Sequence, residues 1–419
     1  MSGLLPVPEA LARILALLGP VGTETVSIES AGGRVLAEPA SARRAQPPFP
    51  ASAMDGWAAR AEDLIPGAVL TETGEAQAGR RFAGAVGPGE AVRIFTGAPV
   101  PPGADRILIQ EDAERLGDGR IRVAPDPDVG PHVRPAGGDF AEGATMPAPR
   151  RLTPEDVALL AAFDLAEVTV RRRPVVALIP TGDELVEPGE ARSEDQIVSA
   201  NSYGLAALLA AHGAAPRRLP IARDEPDSLR AALEAARGAD LIVTLGGASV
   251  GDRDLVRAVG GEAGLALDFY RIAMRPGKPL LAGRLGGTPM VGLPGNPVSA
   301  MVCGRLFLQP AVDALLGLPA AAPTRRRAVL ARATGPTGPR EHYARARVVD
   351  TPADGPPAVE IASRQDSSLL TVLSDADCLA VLPAGAGPLD AGAIVEIIPL
   401  RTDDRGTERE LIDTKRERR

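Results

Sequence analysis

Between residues 174 and 316, short apolar runs alternate with helical segments, and this alternation constrains the fold more than any other feature of the 419-residue chain. The pattern favours a mostly parallel sheet covered by helices on both faces. The predicted strands are 174–180, 217–222, 241–245, 267–274 and 289–293, and the predicted helices are 202–212, 226–237, 255–260 and 298–316. We therefore expect a doubly wound α/β domain in the middle of the chain.

The segments on either side of this domain have other patterns. A helix is predicted over 9–18, and a second begins at Thr153, a good N-cap that is followed by proline. Between them lie short Val/Ile runs separated by Gly and Pro, which are typical of a small β module inserted into a helical domain. Short alternating segments after residue 319 predict a C-terminal β-barrel domain.

The predicted architecture is thus a multidomain α/β protein, and 45% hydrophobic residues over this length suffice for several cores. Its predicted parts are an N-terminal helical and linker domain over 1–46 plus 138–173, an inserted β module over 47–137, the α/β domain over 174–317, the C-terminal β domain over 318–400 and a charged, disordered tail over 401–419.

Composition excludes several classes of protein. A net charge of −8 argues against a general nucleic-acid binder, which would need a basic surface. The chain lacks a long apolar run and an N-terminal secretory signal, so we expect a cytoplasmic protein without membrane association. Three histidines without a pairing motif and two cysteines cannot form a typical zinc site. We expect Cys303 and Cys378 to be buried structural thiols.

Three unusual loops follow predicted strands of the α/β domain, at 181–184, 246–254 and 294–297. Ligands of open α/β sheets bind beyond the carboxyl ends of the strands, where glycine amides and helix N-termini attract anions. No Walker loop and no GxGxxG fingerprint is present, so a phosphorylated or pterin-like ligand is predicted instead. The predicted ligand-binding residues in these loops are Thr181, Gly182, Gly246, Gly247, Ser249, Gly251, Pro294, Asn296 and Pro297.

Basic residues follow the second loop. Strand alternation predicts Arg271 and Arg275 on one face, with Lys278 on the next turn. Lys278 is one of only two lysines in the chain, and a compact ammonium contacts phosphate as a point charge. The alternative is a solvated basic edge.

Carboxylates crowd the same rim of the predicted sheet. Glu184 lies in the first loop, Asp254 in the second, and Asp224 near the end of another strand. Several carboxylates beside a phosphate site favour Mg²⁺ shared between protein and ligand. For Asp224, a helix N-cap is the alternative.

Six motifs, taken in order, resemble the molybdopterin molybdenumtransferase family, which includes bacterial MoeA and the C-terminal part of gephyrin. They are SAMDG at 52–56, RIFTGAP at 93–99, TGDE at 181–184, GGASVG at 246–251, RPGK at 275–278 and GLPGNPVS at 292–299. The resemblance covers residues 4 to about 400. It implies an enzyme that takes adenylylated molybdopterin and molybdate as substrates, inserts molybdenum between the dithiolene sulfurs and releases AMP.

The resemblance also implies roles for individual residues. Glu184, Asp224 and Asp254 would bind Mg²⁺ and act in catalysis together with Asp55 and Lys278. Phosphate or molybdate would be held by Arg271, Arg275 and Lys278, and the residues of the inserted module and its flank near the site would be Asp55, Thr96, Arg134 and Asp139. Simple turn formation is the alternative for Asp55 and Thr96.

The implied assembly is a homodimer in which the module of one subunit closes over the α/β domain of the other. The implied partners are molybdopterin adenylyltransferase and acceptor molybdoenzymes or their chaperones. Arginines at 271 and 275 replace the family's frequent lysines, and Gly138 replaces an acidic residue. A non-catalytic carrier of molybdopterin or a specialised paralogue therefore stays open as an alternative. The adenylyltransferase reaction is disfavoured by the length of the chain.

Overall fold

The computed structural model describes residues 4–247, 255–353 and 355–401, and the predicted tail over 402–419 lies outside them. The chain divides into two compact units. One comprises Met1–Thr23 with Arg171–Arg419, and the other is the continuous segment Glu24–Val170. The multidomain α/β class predicted from the sequence is confirmed.

Helices are concentrated in the first unit. In chain order they are α1 (Val7–Ala16), α2 (Pro154–Ala162), α3 (Asn201–Ala211), α4 (Pro226–Ala235), α5 (Leu255–Glu262), α6 (Pro297–Cys303), α7 (Gln309–Leu315) and α8 (Leu370–Ser374). Among them, α2 belongs to the second unit and has the predicted N-cap. Thr153 accepts the Asp156 N–H and Asp156 accepts the Thr153 N–H, which forms a capping box.

The unit Glu24–Val170 contains helix α2 and four separate β-sheets, one of six strands, one of four and two of two. Its strands are β1 (Thr23–Ser27), β2 (Val35–Leu36), β3 (Ala40–Ser41), β4 (Ala51–Ser52), β5 (Gly56–Ala59), β6 (Val69–Ala76), β7 (Glu90–Ile94), β8 (Arg106–Ile109), β9 (Ala113–Arg115), β10 (Arg120–Val123), β11 (Val133–Arg134), β12 (Thr145–Met146), β13 (Arg150–Arg151) and β14 (Glu167–Arg171).

The predicted β module is present as the sheet β8-β5-β7-β6-β10-β9, with β11 paired to β4 beside it. The flanking residues differ from the prediction, because they contain the sheet β1-β14-β2-β13 as well as α2. Strands of two residues, such as β2 and β13, are too short to show an alternation in the sequence. Helix α1 also differs from its predicted grouping, since it packs against α7 in the other unit.

The α/β domain is built on β15 (Val175–Pro180), β18 (Ala215–Arg218), β19 (Leu241–Leu245), β20 (Leu265–Tyr270), β22 (Leu281–Leu285) and β23 (Thr288–Leu293), with β16 (Leu185–Val186) and β17 (Ile197–Val198) paired beside them. In the described part of the chain the sheet order is β18-β15-β19-β23-β22-β20. The first four strands are parallel, and the last two are antiparallel to their neighbours. Residues of β19 are all buried, as expected for a strand covered on both faces.

The C-terminal domain is a closed barrel. Its strands are β24 (Arg326–Leu330), β25 (Glu341–Asp350), β26 (Ala358–Ile361), β27 (Cys378–Leu382) and β28 (Ile394–Pro399), and β21 (Met274–Arg275) adds to β25 from outside. The order β25-β26-β24-β28-β27 closes because β25 also pairs with β27. Closure leaves no free edge among these five strands of the described chain. The predicted barrel is confirmed, and the short helix α8 within this domain was not predicted.

Three predicted elements of the α/β domain have different bounds. The strand predicted over 217–222 lies at β18 instead, because its pairing with β15 becomes irregular. The Leu219 N–H still donates to the Leu178 carbonyl, but the Pro180 carbonyl accepts from Ala222 rather than from residue 221. The helix predicted over 298–316 contains a π-helical turn at Gly304–Leu308 between α6 and α7. Pro310 explains this turn, since its ring excludes a regular helical bond to the preceding turn.

The strand predicted over 267–274 is right for residues 267–270 and wrong beyond them. It ends at Tyr270, because Arg271 has a φ of 111°, which a regular strand cannot include. The chain then turns, and β21 pairs with β25 of the barrel rather than extending β20. Arg271 and Arg275 therefore do not share one strand face, which corrects the sequence prediction.

The continuous helical segment Pro297–Leu315 is long and apolar enough to cross a membrane by length and composition. However, 72% of its most apolar window is buried inside the protein. A buried core helix has the same composition.

Both cysteines are buried and free, as the sequence predicted. Burial raises the pKa of the Cys378 thiol to about 12, and burial also raises the pKa of Cys303. Since the thiolate is the reactive form, we expect neither thiol of the native protein to react readily with a thiol reagent at pH 7.5, whereas both react after unfolding in guanidinium. Rapid labelling of the native chain would contradict this assignment of structural thiols.

Candidate functional site

The carboxyl ends of three parallel strands are joined by hydrogen bonds. The Thr181 N–H after β15 donates to the Leu245 carbonyl of β19 at 3.0 Å, and the Gly246 N–H donates to the Leu293 carbonyl of β23 at 3.1 Å. The Thr181 hydroxyl donates to the same Leu245 carbonyl at 3.3 Å. The first residues of the predicted glycine loops therefore lie side by side at the edge where α/β domains bind ligands.

Glycine is required at the second loop by both conformation and space. Gly246 and Gly247 have φ values of 98° and 65°. A Cβ on Gly246 would lie 2.9 Å from the Thr181 carbonyl oxygen, and Gly295 of the third loop lies close to the Gly246 Cα. The backbones of the three loops thus approach one another closely at Thr181, Gly246 and Gly295, which a side chain at Gly246 would prevent.

The first loop carries the acidic residues. Asp183 accepts the Asp224 N–H at 3.0 Å, which connects this loop to the segment that follows β18. The Glu184 carboxylate folds back over Gly182, where a Cβ would collide with it. Glu184 and Asp224 therefore belong to one rim, although the described residues hold no cluster of three or more acidic, histidine or cysteine side chains suited to a metal ion.

Arg223 holds this acidic rim in place, and sequence reasoning missed it. Its guanidinium Nη1 lies 2.9 Å from the Leu185 carbonyl and 3.2 Å from the Asp183 carbonyl, and its backbone N–H donates to the Ser228 hydroxyl at 2.9 Å. The Arg223 side chain therefore clamps the loop that presents Glu184 and places a positive charge beside the carboxylates.

Lys278 and Arg271 come to the same sheet edge. Leu281 at the start of β22 is paired with Gly292 near the end of β23, and Tyr270 at the end of β20 is paired with Leu281. Residues just outside these pairs therefore lie beyond the carboxyl ends of the parallel strands. The Arg271 N–H donates to Leu280 and the Ile272 N–H to the Lys278 carbonyl, which closes the turn between β20 and β22.

Arg275 lies apart from Arg271, on β21 against the barrel. There it is close enough to Arg345 for its positive charge to act together with burial in lowering the pKa of the Arg345 guanidinium. Arg345 is completely buried, and its Nε and Nη1 atoms have no hydrogen-bond partner among the described residues. Buried donors without a partner indicate a missing anion or water. Arg345 is a second residue that sequence reasoning missed.

The third loop is tied to the barrel domain. Helix α6 begins at Pro297, one residue before the predicted start, and the preceding Asn296 donates its side-chain amide to the Ser367 hydroxyl at 2.9 Å. The Val298 N–H donates to the Ser367 carbonyl at 3.0 Å. Arg345 contacts the same segment through the Asp366 carbonyl at 2.9 Å. The barrel thus supplies the loop 365–368 to the edge of the predicted ligand site.

In the other unit, Asp55 and Thr96 are in direct contact. Asp55 Oδ1 accepts both the backbone N–H and the hydroxyl of Thr96 at 2.8 Å. These bonds favour the charged carboxylate and lower the pKa of Asp55. The contact joins two separate segments of the module, so it is more than the local turn that the sequence left open for Asp55. Both residues remain accessible to solvent.

Arg134 and Asp139 are exposed in the same unit. Arg134 is paired with Ala51 through β11 and β4. The adjacent Ser52 carbonyl accepts the Gly97 N–H, so this strand pair lies near the Asp55–Thr96 contact. Asp139 lies in a different segment, where its backbone N–H donates to the Gln46 carbonyl at 3.0 Å. Three further predicted site residues lie outside the described residues: Ser249, Gly251 and Asp254.

Family models match almost the whole chain in order. The MoeA N-terminal region (domain I and II) matches residues 5–163, the probable molybdopterin binding domain matches 177–314, and the MoeA C-terminal region (domain IV) matches 327–400. The chain belongs to the MoeA family. The resemblance noted in the sequence is thereby confirmed.

Curated members of the MoeA family are similar over much of their length. A molybdopterin molybdenumtransferase from Nostoc is 37% identical, over 71% of this chain and 70% of that protein. Molybdopterin molybdenumtransferase 2 from Mycobacterium tuberculosis is 36% identical, over 89% and 94%. A solved structure of a molybdopterin biosynthesis MoeA protein from Pyrococcus horikoshii is 30% identical with a TM-score of 0.82, and it covers 96% of this chain and 100% of its own.

Substitution of Arg223 tests whether it orders the acidic loop. In Arg223→Ala, we expect the amides of Leu185 and Ile197 to exchange hydrogen about tenfold faster or more, because a hydrogen bond to a charged group is worth about 1.5–3 kcal/mol. Arg223→Lys keeps the charge without the planar fork and should give an intermediate rate. The matched control is Arg230→Ala on α4, where the arginine pairs with Glu262 at 3.0 Å instead of with this loop. Equal exchange in both alanine variants would contradict the clamp.

Proposed function

We propose that this protein is a molybdopterin molybdenumtransferase, which takes adenylylated molybdopterin and molybdate, inserts molybdenum between the dithiolene sulfurs and releases AMP. The observation that carries the proposal is the similarity to curated molybdopterin molybdenumtransferases, one of which is 36% identical over 391 residues. The joined glycine loops at the carboxyl edge of the sheet support it, because they form a surface suited to a phosphorylated ligand.

The proposed binding of the pterin phosphate combines backbone and cationic groups. Thr181, Gly246 and Asn296 bring the three loops together, while Lys278 and Arg271 border the same edge. A phosphate there would be bound by amide N–H groups and by a compact ammonium. The oxyanion molybdate would be bound by arginines, for which Arg345 has unused donors and Arg275 adds positive potential.

Mg²⁺ is part of the proposal. Glu184 and Asp224 offer carboxylate oxygens, which this ion prefers, and they lie on one rim with Arg223 behind the loop. Asp254, the third proposed ligand, lies outside the described residues. When bound, Mg²⁺ would supply charge neutralisation at the phosphates. The protein's own contribution is to fix the rim, so that its carboxylates and cations meet the phosphoanhydride in one orientation.

The alternative function is a non-catalytic carrier of molybdopterin or of the finished cofactor. Both functions use the same loops, so binding alone does not separate them. We expect the purified protein to release AMP from adenylylated molybdopterin when molybdate and Mg²⁺ are present. Tight binding without AMP release would reject the transferase and favour the carrier. Omission of molybdate provides the control for simple hydrolysis.

The role of Lys278 is tested by binding rather than by turnover. Lys278→Ala should weaken the binding of molybdopterin about tenfold or more, because a charged contact to phosphate is lost. Lys278→Arg keeps the charge but replaces a point charge by a planar fork and should bind with intermediate affinity. The control is Arg237→Ala, which removes a cation whose side chain is 79% exposed. Unchanged affinity in Lys278→Ala would contradict a role in ligand binding and would favour the alternative, in which Lys278 is part of a solvated basic edge.

We further propose a cytoplasmic homodimer in which Asp55 and Thr96 of one subunit serve the crevice of the other. Their exposed contact supports this, because it presents an ionised carboxylate on the surface of the module. The implied partners are the adenylyltransferase that supplies the substrate and the molybdoenzymes or chaperones that accept the product.

Complementation tests the shared site. At a substrate concentration well below the Kd of the Lys278→Ala variant, Asp55→Ala and Lys278→Ala should each release little AMP alone. Unfolded together and refolded as a mixture, they should regain about a quarter of the wild-type AMP release, because half of the dimers are mixed and each contains one intact site. Light scattering should give twice the chain mass. No recovery in a mixture shown to contain mixed dimers would reject shared sites.

A further inference from the structure

Arg93 on β7 is a buried cation of the inserted module, with only 9% of its surface exposed. Its Nη1 atom donates to the Gly56 carbonyl and its Nη2 atom to the side-chain carbonyl of Gln110, both at 3.1 Å. Within the described part of the chain, no carboxylate forms an ion pair with it. Buried charges are normally paired with an opposite charge, so burial of this guanidinium against neutral groups is unusual.

Two aromatic rings lie close to the guanidinium. Its Cζ atom is 4.5 Å from the centroid of the Trp57 ring and 4.9 Å from that of the Phe95 ring. Aromatic faces stabilise a cation through their negative electrostatic potential, which partly replaces a missing carboxylate. Trp57 is the second residue after Asp55, and Phe95 immediately precedes Thr96. Arg93 therefore contacts both of the segments that meet in the Asp55–Thr96 contact.

Hydrogen bonds also connect Arg93 to the backbone of Asp55. The Gly56 carbonyl, which accepts from Arg93, belongs to the residue directly after Asp55. The Gln110 backbone N–H donates to the Asp55 carbonyl at 3.0 Å, while the Gln110 side chain accepts from Arg93. One planar guanidinium thus joins two groups that fix the Asp55 backbone. The Thr96 hydrogen bonds lower the pKa of Asp55 most, and the positive charge of Arg93 acts in the same direction.

We propose that Arg93 is a positioning residue for Asp55, which fixes the Asp55 backbone through Gly56 and Gln110 and supplies a buried positive charge near its carboxylate. This inference deepens the proposed function and rests on it for the role of Asp55 at the ligand. Arg93 is itself buried, so it acts through Asp55 and not on the ligand. In the alternative, Arg93 only stabilises the packing of the module. The two differ in the effect of charge, because Arg93→Lys keeps the charge without the planar fork, whereas Arg93→Met keeps much of the packing without the charge.

The first experiment measures the pKa of Asp55 by NMR of chains labelled at the aspartate carboxyl carbons, with Asp55→Asn to assign the signal. We expect a higher pKa in Arg93→Met than in the wild type, because a positive charge near the carboxylate is lost. In Arg93→Lys the pKa should lie below that in Arg93→Met, because the charge is kept. Packing alone would loosen the Asp55–Thr96 contact in both variants alike, so equal pKa values in the two variants would overturn the proposal.

Hydrogen exchange tests the positioning of the backbone. The Thr96 and Gln110 amides should exchange about tenfold faster in Arg93→Met, because two hydrogen bonds from a charged group are lost. The Val123 amide, which donates to the Ala68 carbonyl at 2.9 Å in the same module, should keep its wild-type rate if the module stays folded. Gln110→Met changes an exposed side chain and leaves Arg93 in place, so it tests the same connection without emptying the core. It should speed exchange of the amide at position 110 several-fold. Wild-type exchange of that amide in both variants would reject the positioning role.

Arg115→Met is the matched control. The Arg115 guanidinium lies 5.1 Å from the centroid of the same Trp57 ring, but it pairs with Glu72 at 3.5 Å and its side chain is 59% exposed. Among the described residues it forms no hydrogen bond with the segments that hold Asp55. We expect the wild-type pKa of Asp55 and wild-type exchange in this variant. The same changes as in Arg93→Met would assign them to loss of a cation at the Trp57 ring and would contradict the proposal.

Turnover connects this inference to the proposed function and also separates the two. Where the wild type releases AMP, Arg93→Met should lower kcat about tenfold and leave KM nearly unchanged, because the Asp55 carboxylate is misplaced while the glycine loops are intact. A raised KM with unchanged kcat would overturn the positioning role. The pKa and exchange measurements need no turnover, so they test the role of Arg93 even if the protein is a carrier that releases no AMP.

Discussion

The arrangement of the α/β domain depends on the hydrogen bonds that join the ends of its parallel strands. The Thr181 N–H donates to the Leu245 carbonyl, and the Gly246 N–H donates to the Leu293 carbonyl. The last carbonyl of each strand is therefore bonded by the loop that follows the neighbouring strand. Buried strand ends must satisfy their carbonyl groups in this way. The consequence is that three loops are aligned at one edge, and glycine at 246 and 247 allows their backbones to approach one another.

The barrel completes this edge instead of forming an independent appendage. Ser367 accepts a side-chain bond from Asn296 and a backbone bond from Val298 at the start of α6. Gln365 accepts the Arg345 N–H at 3.0 Å and donates to the Arg345 carbonyl at 2.9 Å, which fixes the loop to β25. The same loop keeps Arg345 buried with unused donors. The position of Arg345 relative to the third loop is therefore determined jointly by the α/β domain and the barrel.

Sequence reasoning succeeded where a local pattern reports directly on structure. The apolar runs at β15 and β19 were predicted correctly, because burial on both faces requires continuous apolar residues. The predicted strand 267–274 was wrong beyond Tyr270, because Arg271 has a positive φ that ends β20. The chain then turns and pairs with the barrel through β21. Arg223 and Arg345 were missed because an arginine that binds backbone carbonyls or lies buried in a barrel has no signature in the chain.

The sequence by itself determined the order of the domains, the α/β class, the glycine loops and the membership in the MoeA family, because these depend on local periodicity and on motifs contiguous in the chain. Only the tertiary structure decided which cations act together. Arg275 separates from Arg271 and joins Arg340, His342 and Arg345, although these residues are more than sixty positions further along the chain. Electrostatic interactions depend on distance in space, and a linear pattern does not contain that distance.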